Sequence, residues 1–279
     1  MVAIKSVKPN SVNTSRSAVY NRLSPPKHRD KTLSCRFELK YRIREAKARA
    51  LAQYIQSYLP LDRYSRDCRD YQYPISSLYF DSKNLNLCKE TIDKKKNRFK
   101  LRVRCYDDDA TTPCFFEIKR RINNVILKDR ARVSKDAIVE IIQNDYVPES
   151  LYKEYKTTLR QFQFYTRTLT AHPLILVRYM RQAFEGDSSS RVRITFDRDL
   201  CYNTVNGPIL RVGGPGWQIV PMDFVILEIK FTERYPAWLS EMVKVFDLKQ
   251  TAMSKYVSTV KQSSAMGYGG PGYNIAENF

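Results

Sequence analysis

Residues Arg36-Phe37-Glu38-Leu39-Lys40-Tyr41-Arg42-Ile43 alternate charged and apolar side chains without a break. Successive side chains of a strand point to opposite faces. Arg36, Glu38, Lys40 and Arg42 therefore share one face, and Phe37, Leu39, Tyr41 and Ile43 the other. The Glu-apolar-Lys signature returns at Glu117-Ile118-Lys119 and Glu228-Ile229-Lys230. In the run 98–106, Arg98, Lys100, Arg102 and Arg104 oppose Phe99, Leu101, Val103 and Cys105. A charged face repeated on several strands is costly unless it is solvated or holds a ligand of opposite charge.

Working outward, the alternation predicts eight strands, at 34–44, 74–81, 98–106, 114–122, 125–134, 174–185, 191–200 and 224–231. Asn123-Asn124 is a tight-hairpin signal, and Asp107 to Pro113 form an acidic turn. Apolar residues at three- and four-residue spacing predict helices over 45–58 (Ala48, Leu51, Ile55, Tyr58), 149–168 (Leu151, Tyr155, Leu159, Phe162) and 237–248 (Trp238, Met242, Val245, Phe246). The expected fold class is α+β: an eight-stranded antiparallel β barrel forming a tunnel, with a charged interior and helices over part of its apolar outside. The inverse arrangement, an apolar core inside a charged surface, satisfies the same alternation.

Residues 1–32 are polar and basic, and are expected to form a disordered arm. The folded unit is placed at 33–262, and 263–279 is read as a Gly-rich flexible tail. A formal net charge of +19 calls for a polyanionic partner: nucleic acid, an anionic membrane or phosphate-rich small molecules. The six cysteines form no C-x-x-C pair, and Cys105 and Cys114 sit at apolar parity, which reads as buried free thiols. With no apolar run of membrane-span length and no signal-peptide core, a cytoplasmic location is expected.

The cations Lys40, Arg102, Arg104, Lys119, Lys128, Arg130, Arg181 and Arg193 come from separate strands. Arginine offers a planar fork to phosphate oxygens and lysine a compact point charge, so the set favours a convergent phosphate site. Arg178 has the opposite parity to Arg181, so only one of them is expected inside. A polyphosphate carries a divalent metal, for which Glu228 is the first candidate ligand and Glu117 the second. Each glutamate has a plainer reading, as the neutralising partner of nearby Lys and Arg. With only His28 and His172, a histidine base or zinc site is disfavoured. Gly213-Gly214-Pro215-Gly216 lacks a following Lys and reads as a turn, not a phosphate loop.

The ordered set Arg36-Phe-Glu-Leu-Lys40-Tyr41, Ser77-Leu-Tyr-Phe-Asp81, Leu101-Arg-Val-Arg104, Phe116-Glu-Ile-Lys119, Tyr179-Met-Arg-Gln-Ala-Phe184, Val192-Arg-Ile-Thr-Phe-Asp197, Leu227-Glu-Ile-Lys230 and Ser254-Lys255-Tyr256 resembles the VTC domain. That is the catalytic domain of the vacuolar transporter chaperone polyphosphate polymerases, a branch of the triphosphate tunnel metalloenzymes. The resemblance spans about 34–260. It implies transfer of the ATP γ-phosphate to a growing inorganic polyphosphate chain, with Mn²⁺ or Mg²⁺. By the same resemblance, Lys40, Arg102, Arg104, Lys119, Arg181 and Arg193 would hold triphosphate and product. Lys128, Arg130, Lys230, Ser254 and Lys255 would add phosphate contacts, and Glu228 would hold the metal. Hydrolytic relatives carry E-x-E-x-K on the first strand. Arg36 stands at the first Glu, which favours polymerase over the alternative, a tripolyphosphate or nucleoside-triphosphate hydrolase. A non-catalytic polyanion binder is the third reading, and nucleic acid is not the expected partner. No SPX domain or membrane helix is recognisable, so a free-standing, bacterial-like form is expected, its membrane partner unknown.

Overall fold

The computed structural model describes residues 36–123, 125–186, 192–232 and 235–265. The basic arm, residues 266–279 of the tail, Cys35 and Asn124 lie outside the described residues.

Nine strands form one antiparallel sheet: β1 (Arg36–Ile43), β2 (Tyr73–Asp81), β3 (Asn97–Cys105), β4 (Pro113–Ile122), β5 (Val125–Ser134), β6 (His172–Glu185), β7 (Arg193–Thr204), β8 (Gln218–Ile219) and β9 (Val225–Thr232). Their order is β1-β9-β7-β6-β2-β3-β4-β5, with the two-residue β8 pairing β7 alone. The eight expected strands are present, and β8 is an addition. Closure is the point of correction, since no ladder joins β1 to β5 among the described residues. Part of the free edge of β1 is already taken: the Thr251 N–H donates to the Lys40 carbonyl at 2.8 Å, and Tyr41 bridges to Gln250. Side chains span the gap instead, Lys119 of β4 reaching Glu38 of β1 at 2.9 Å.

The charged parity faces in, which rejects the inverse arrangement. Apolar parity from β1, β7 and β9 (Tyr41, Ile43, Ile194, Phe196, Leu227, Ile229) packs against helices on the outside. One is α1 (Glu45–Gln56), whose Ala48, Leu51, Ala52 and Ile55 are buried at helical spacing. Each fully buried Leu or Ile in that stripe contributes about 1.5–3 kcal/mol. The predicted Tyr58 lies past the helix end, stacked on Trp238 at 4.6 Å. A second outer cluster joins Leu101, Val103, Cys114, Phe116, Ile118 and Ala131 to Leu159 and Phe162 of a long helix over Lys153–Thr168. Cys105 and Cys114 are buried free thiols, which burial pushes up to about 12. The helix Ala237–Val245 buries Leu239 and Met242, whereas Val245, predicted on its apolar face, is 67% exposed.

Three short helices were not predicted: Arg63–Arg66 (α2), Asn86–Ile92 (α3) and Ile138–Gln143 (α4). With α1 they precede the helices Lys153–Thr168 (α5), Ala237–Val245 (α6) and Lys255–Ala265 (α7). The last enters the inward face of the sheet. Tyr256 stacks on Tyr79 at 4.7 Å and donates to Asp81 at 2.6 Å, and Val260 joins an interior apolar cluster with Tyr73, Ile75, Val177 and Tyr202. The interior is thus plugged by α7 over part of its area and lined by charge over the rest.

A candidate phosphate tunnel

Antiparallel register decides which charges meet. On β1 and β9 opposite signs face each other: Lys40 lies across from Glu228, and Glu38 across from Lys230. Lys40 bridges Glu38 (3.1 Å) and Glu228 (3.2 Å). Glu228 also takes Lys230 at 3.0 Å and Lys255 at 3.2 Å. Burial opposes ionisation of Glu228, but Lys230, Lys255, Lys40 and Arg181 hold its carboxyl well below the usual range. Glu38 is likewise held down against burial by Lys119 and Lys40. On β6 and β7, Arg181 grips Asp197 through two bonds, 2.6 and 2.7 Å, and Lys255 meets the same carboxylate at 2.5 Å. Arg178 points outward, donating to the Val212 carbonyl at 2.7 Å, as parity required. Arg193 meets Asp62 (2.9 Å), Glu185 (3.1 Å) and the Tyr73 hydroxyl (3.3 Å).

The wall of β3, β4 and β5 is built differently. Register sets Arg102 across from Glu117 and Glu117 across from Arg130. Fully buried, Glu117 receives Arg102 at 2.7 Å, Lys128 at 2.5 Å and Arg130 at 3.2 Å. Against burial, the surrounding cations, Arg102 foremost, hold it well below the usual carboxylate range. One rung further, Lys100, Lys119 and Lys128 stand directly opposite one another across three strands. Like charges so placed repel. Lys119 leans to Glu38 and Lys128 to Glu117, whereas Lys100 donates to the Ser254 hydroxyl at 2.7 Å. Arg104, buried on the same strand, donates to the hydroxyls of Ser77 (3.1 Å) and Tyr179 (3.5 Å). Neither forms an ion pair with a carboxylate among the described residues. Burial, then Lys40, Lys119 and Arg102, draw the Lys100 ammonium well below its usual range.

Ser254 immediately precedes α7 and accepts from the Val257 N–H at 3.3 Å, as an N-cap does. Lys100, Lys119, Lys40 and Ser254 border a cavity of about 850 Å³ that also includes Arg98, Arg121 and Lys261. Positive charge, a helix N-terminus and open volume coincide there, a combination suited to an anion. The Gly213–Gly216 turn is elsewhere engaged: Asp108 accepts from the N–H groups of Val212 and Gly213, both at 2.6 Å, so those donors are not offered to a phosphate.

The sequence-predicted cations line this interior. Parity missed Asp62, which lies outside any strand, and did not separate Lys100 from its neighbours. Asp197 stood in a quoted motif without a role. Among the described residues no three Asp, Glu, His or Cys side chains gather as a metal cage. A Mg²⁺-type ion commonly uses one or two carboxylates and completes its shell with substrate phosphates and water. Glu228 would be the carboxylate for an ion of that kind, which would have to displace the lysines that now meet it at 3.0–3.2 Å. Glu117, the second candidate, is enclosed in the same way, by Arg102, Lys128 and Arg130.

A sheet curled around an ion-rich, cation-lined interior places the protein among tunnel-type folds. The sequence comparison is more specific. The VTC domain family model matches residues 35–264, and the chain belongs to that family. It is similar to the Schizosaccharomyces pombe vacuolar transporter chaperone complex subunit 4, 22% identical over 207 residues. That match takes in 61% of this chain and 29% of the relative, so the chain spans under a third of that protein's length. Two solved structures are alike in outline. A candidate adenylate cyclase from Bacillus halodurans matches at 12% identity and TM-score 0.43, over 79% of this chain and 94% of its own. A Hippeastrum candidate adenylyl cyclase, described as having a dominant triphosphatase activity, matches at 15% identity and TM-score 0.47, over 81% and 95%. No helix among the described residues is long and apolar enough to cross a membrane.

Proposed function

We propose that the chain is a polyphosphate polymerase that moves the γ-phosphate of ATP onto a growing inorganic polyphosphate chain. The observation carrying this reading is the unbalanced rung Lys100–Lys119–Lys128, flanked on β3 by Arg102 and Arg104. Such a row is unfavourable in an empty tunnel and favourable around a row of phosphates. Membership of the VTC domain family supports the same substrate class. Phosphoryl transfer asks for in-line positioning and charge stabilisation, with little covalent work from the protein. The acceptor is a terminal phosphate, already ionised, so no protein base is needed.

In this reading Lys40, Lys100, Arg102, Arg104, Lys119 and Lys128 hold donor and acceptor phosphates from several walls. Ser254 and the first turn of α7 close the cavity side. Arg181, Lys230 and Lys255 orient the carboxylates of Asp197 and Glu228, and Arg193 and Arg130 guard the opposite end. Glu228 would hold the divalent ion, which supplies charge neutralisation on the phosphates. Incubation with ATP and Mn²⁺ or Mg²⁺ is expected to yield ADP and long-chain polyphosphate. Release of free phosphate without polymer would replace this reading with a triphosphatase.

A further inference from the structure

The two ends of the tunnel differ in chemistry. The cavity end carries Arg98, Arg121 and Lys261. At the other end, where β2 and β7 begin and β3 ends, aromatic rings gather. Tyr64 and Tyr106 lie parallel within 3°, centroids 6.0 Å apart. Tyr73 tilts against both, at 5.6 and 6.3 Å, and Phe115 meets Tyr106 edge-on at 5.8 Å. Arg130 sits 3.6 Å over the Phe115 ring and donates to the Tyr106 hydroxyl at 3.0 Å. Tyr73 is buried, whereas Tyr64, packed on Tyr73 and Tyr106, is still 50% exposed on the four-residue helix α2.

We infer that this aromatic mouth is the nucleobase subsite, and that the base of the donor nucleotide stacks between Tyr64 and Tyr106. The inference rests on the polymerase reading and adds to it a site for the part of the donor that carries no phosphate. A planar base between two rings needs them about 7 Å apart, twice the ~3.5 Å contact distance of carbon atoms. The 6.0 Å between centroids includes lateral offset, so Tyr64 would have to swing off Tyr106 to open that gap. The half-exposed ring on a short surface helix is the one able to move. The flanking polar groups suit the rest of a nucleotide: Arg130 bonds to Tyr106, and Arg193 bonds to Tyr73. The phosphates would run inward from there past Arg104 to the lysine rung. Stacking on an aromatic face tolerates any base but is stronger for purines, which have the larger π surface.

The test compares ligands that share phosphates but not a base. Binding of the non-hydrolysable ATP analogue AMP-PNP and of tripolyphosphate is measured on the full chain and on Tyr64→Ala, Tyr64→Leu and Tyr64→Trp. Tyr64→Ala and Tyr64→Leu are expected to weaken AMP-PNP about tenfold while changing tripolyphosphate less than twofold, with Tyr64→Trp restoring affinity. The wild-type preference for ATP over UTP is expected to collapse in Tyr64→Ala. Equal weakening of both ligands, or no change in AMP-PNP, overturns the subsite. Failure of the polymerase reading looks different: no polymer forms from ATP, yet the base-dependent loss in Tyr64→Ala remains.

Discussion

Two walls of one tunnel carry similar residues to opposite ends. On the β1–β9–β7 wall the register sets Lys40 against Glu228 and Glu38 against Lys230, so each cation has a carboxylate within reach. On the β3–β4–β5 wall, Lys100, Lys119 and Lys128 face one another, and Glu117 alone answers three cations. The first wall satisfies itself and can hold its shape with nothing bound. The second is left short of negative charge. In the proposed function a phosphate chain would supply what it lacks, and affinity would follow the deficit, not the number of cations.

The comparison breaks most visibly at Glu117. Glu117→Gln removes the one buried anion that Arg102, Lys128 and Arg130 share. Removing one partner of a buried ion pair costs about 3–5 kcal/mol. The ligand-free variant is expected to lose stability on that scale in denaturant unfolding. Tripolyphosphate, by restoring the missing charge, is expected to stabilise Glu117→Gln more than it stabilises the wild type. An equal gain in both would mean that ligand does not reach this wall.

Lys100→Met is the smaller and sharper case. It keeps most of the aliphatic stem, removes one charge from the like-charge rung and leaves no buried carboxylate behind. Ligand-free stability is therefore expected to rise, by up to about 1 kcal/mol. Binding of tripolyphosphate is expected to weaken several-fold in the same variant. Opposite signs for folding and binding are the mark of a residue kept for its ligand. Loss of both would make Lys100 a structural member, like Arg181 on its Asp197.

Much of this contrast was legible beforehand, and the illegible part has identifiable causes. Parity alone located the eight main strands and turned the cations inward, because a two-residue period survives any packing. The small helices escaped because 4, 7 and 6 residues are too few for a helical period to show, and side chains just outside the first two set their starts. Asp81, at the end of β2, accepts from the N–H groups of Leu87 and Cys88 and so fixes the start of α3. Asp62 accepts from the Ser65 N–H and caps α2. The open seam escaped because the segment at Gln250–Thr251, not a strand, takes the edge of β1. Parity also could not tell Lys100 from Lys40, since both alternate correctly. Only the register sets Lys40 across from Glu228 and Lys100 across from another lysine, which leaves Lys100 the Ser254 hydroxyl.

The weakest expected signal follows from that same vacancy. Burial and the neighbouring Lys40, Lys119 and Arg102 draw the titration of Lys100 below its ordinary value in the folded, ligand-free protein. Between that lowered value and the ordinary lysine value of about 10.4, the unfolded chain binds more protons than the folded one. Stability of the ligand-free protein is therefore expected to rise with pH across this window, not to fall. Phosphates reverse the local field and return the proton, so binding must take protons up. Calorimetry of tripolyphosphate binding at about pH 9, below the ordinary lysine value, in buffers of different ionisation enthalpy counts them. The wild type is expected to take up more protons per site than Lys100→Met, whose remaining uptake would come from Lys128 and Lys119, also drawn below their ordinary value by burial. Uptake undiminished in Lys100→Met would move the titration to those other lysines. No uptake in the wild type would mean that Lys100 keeps its charge in the empty tunnel, and that the two walls differ in pairing without differing in protonation.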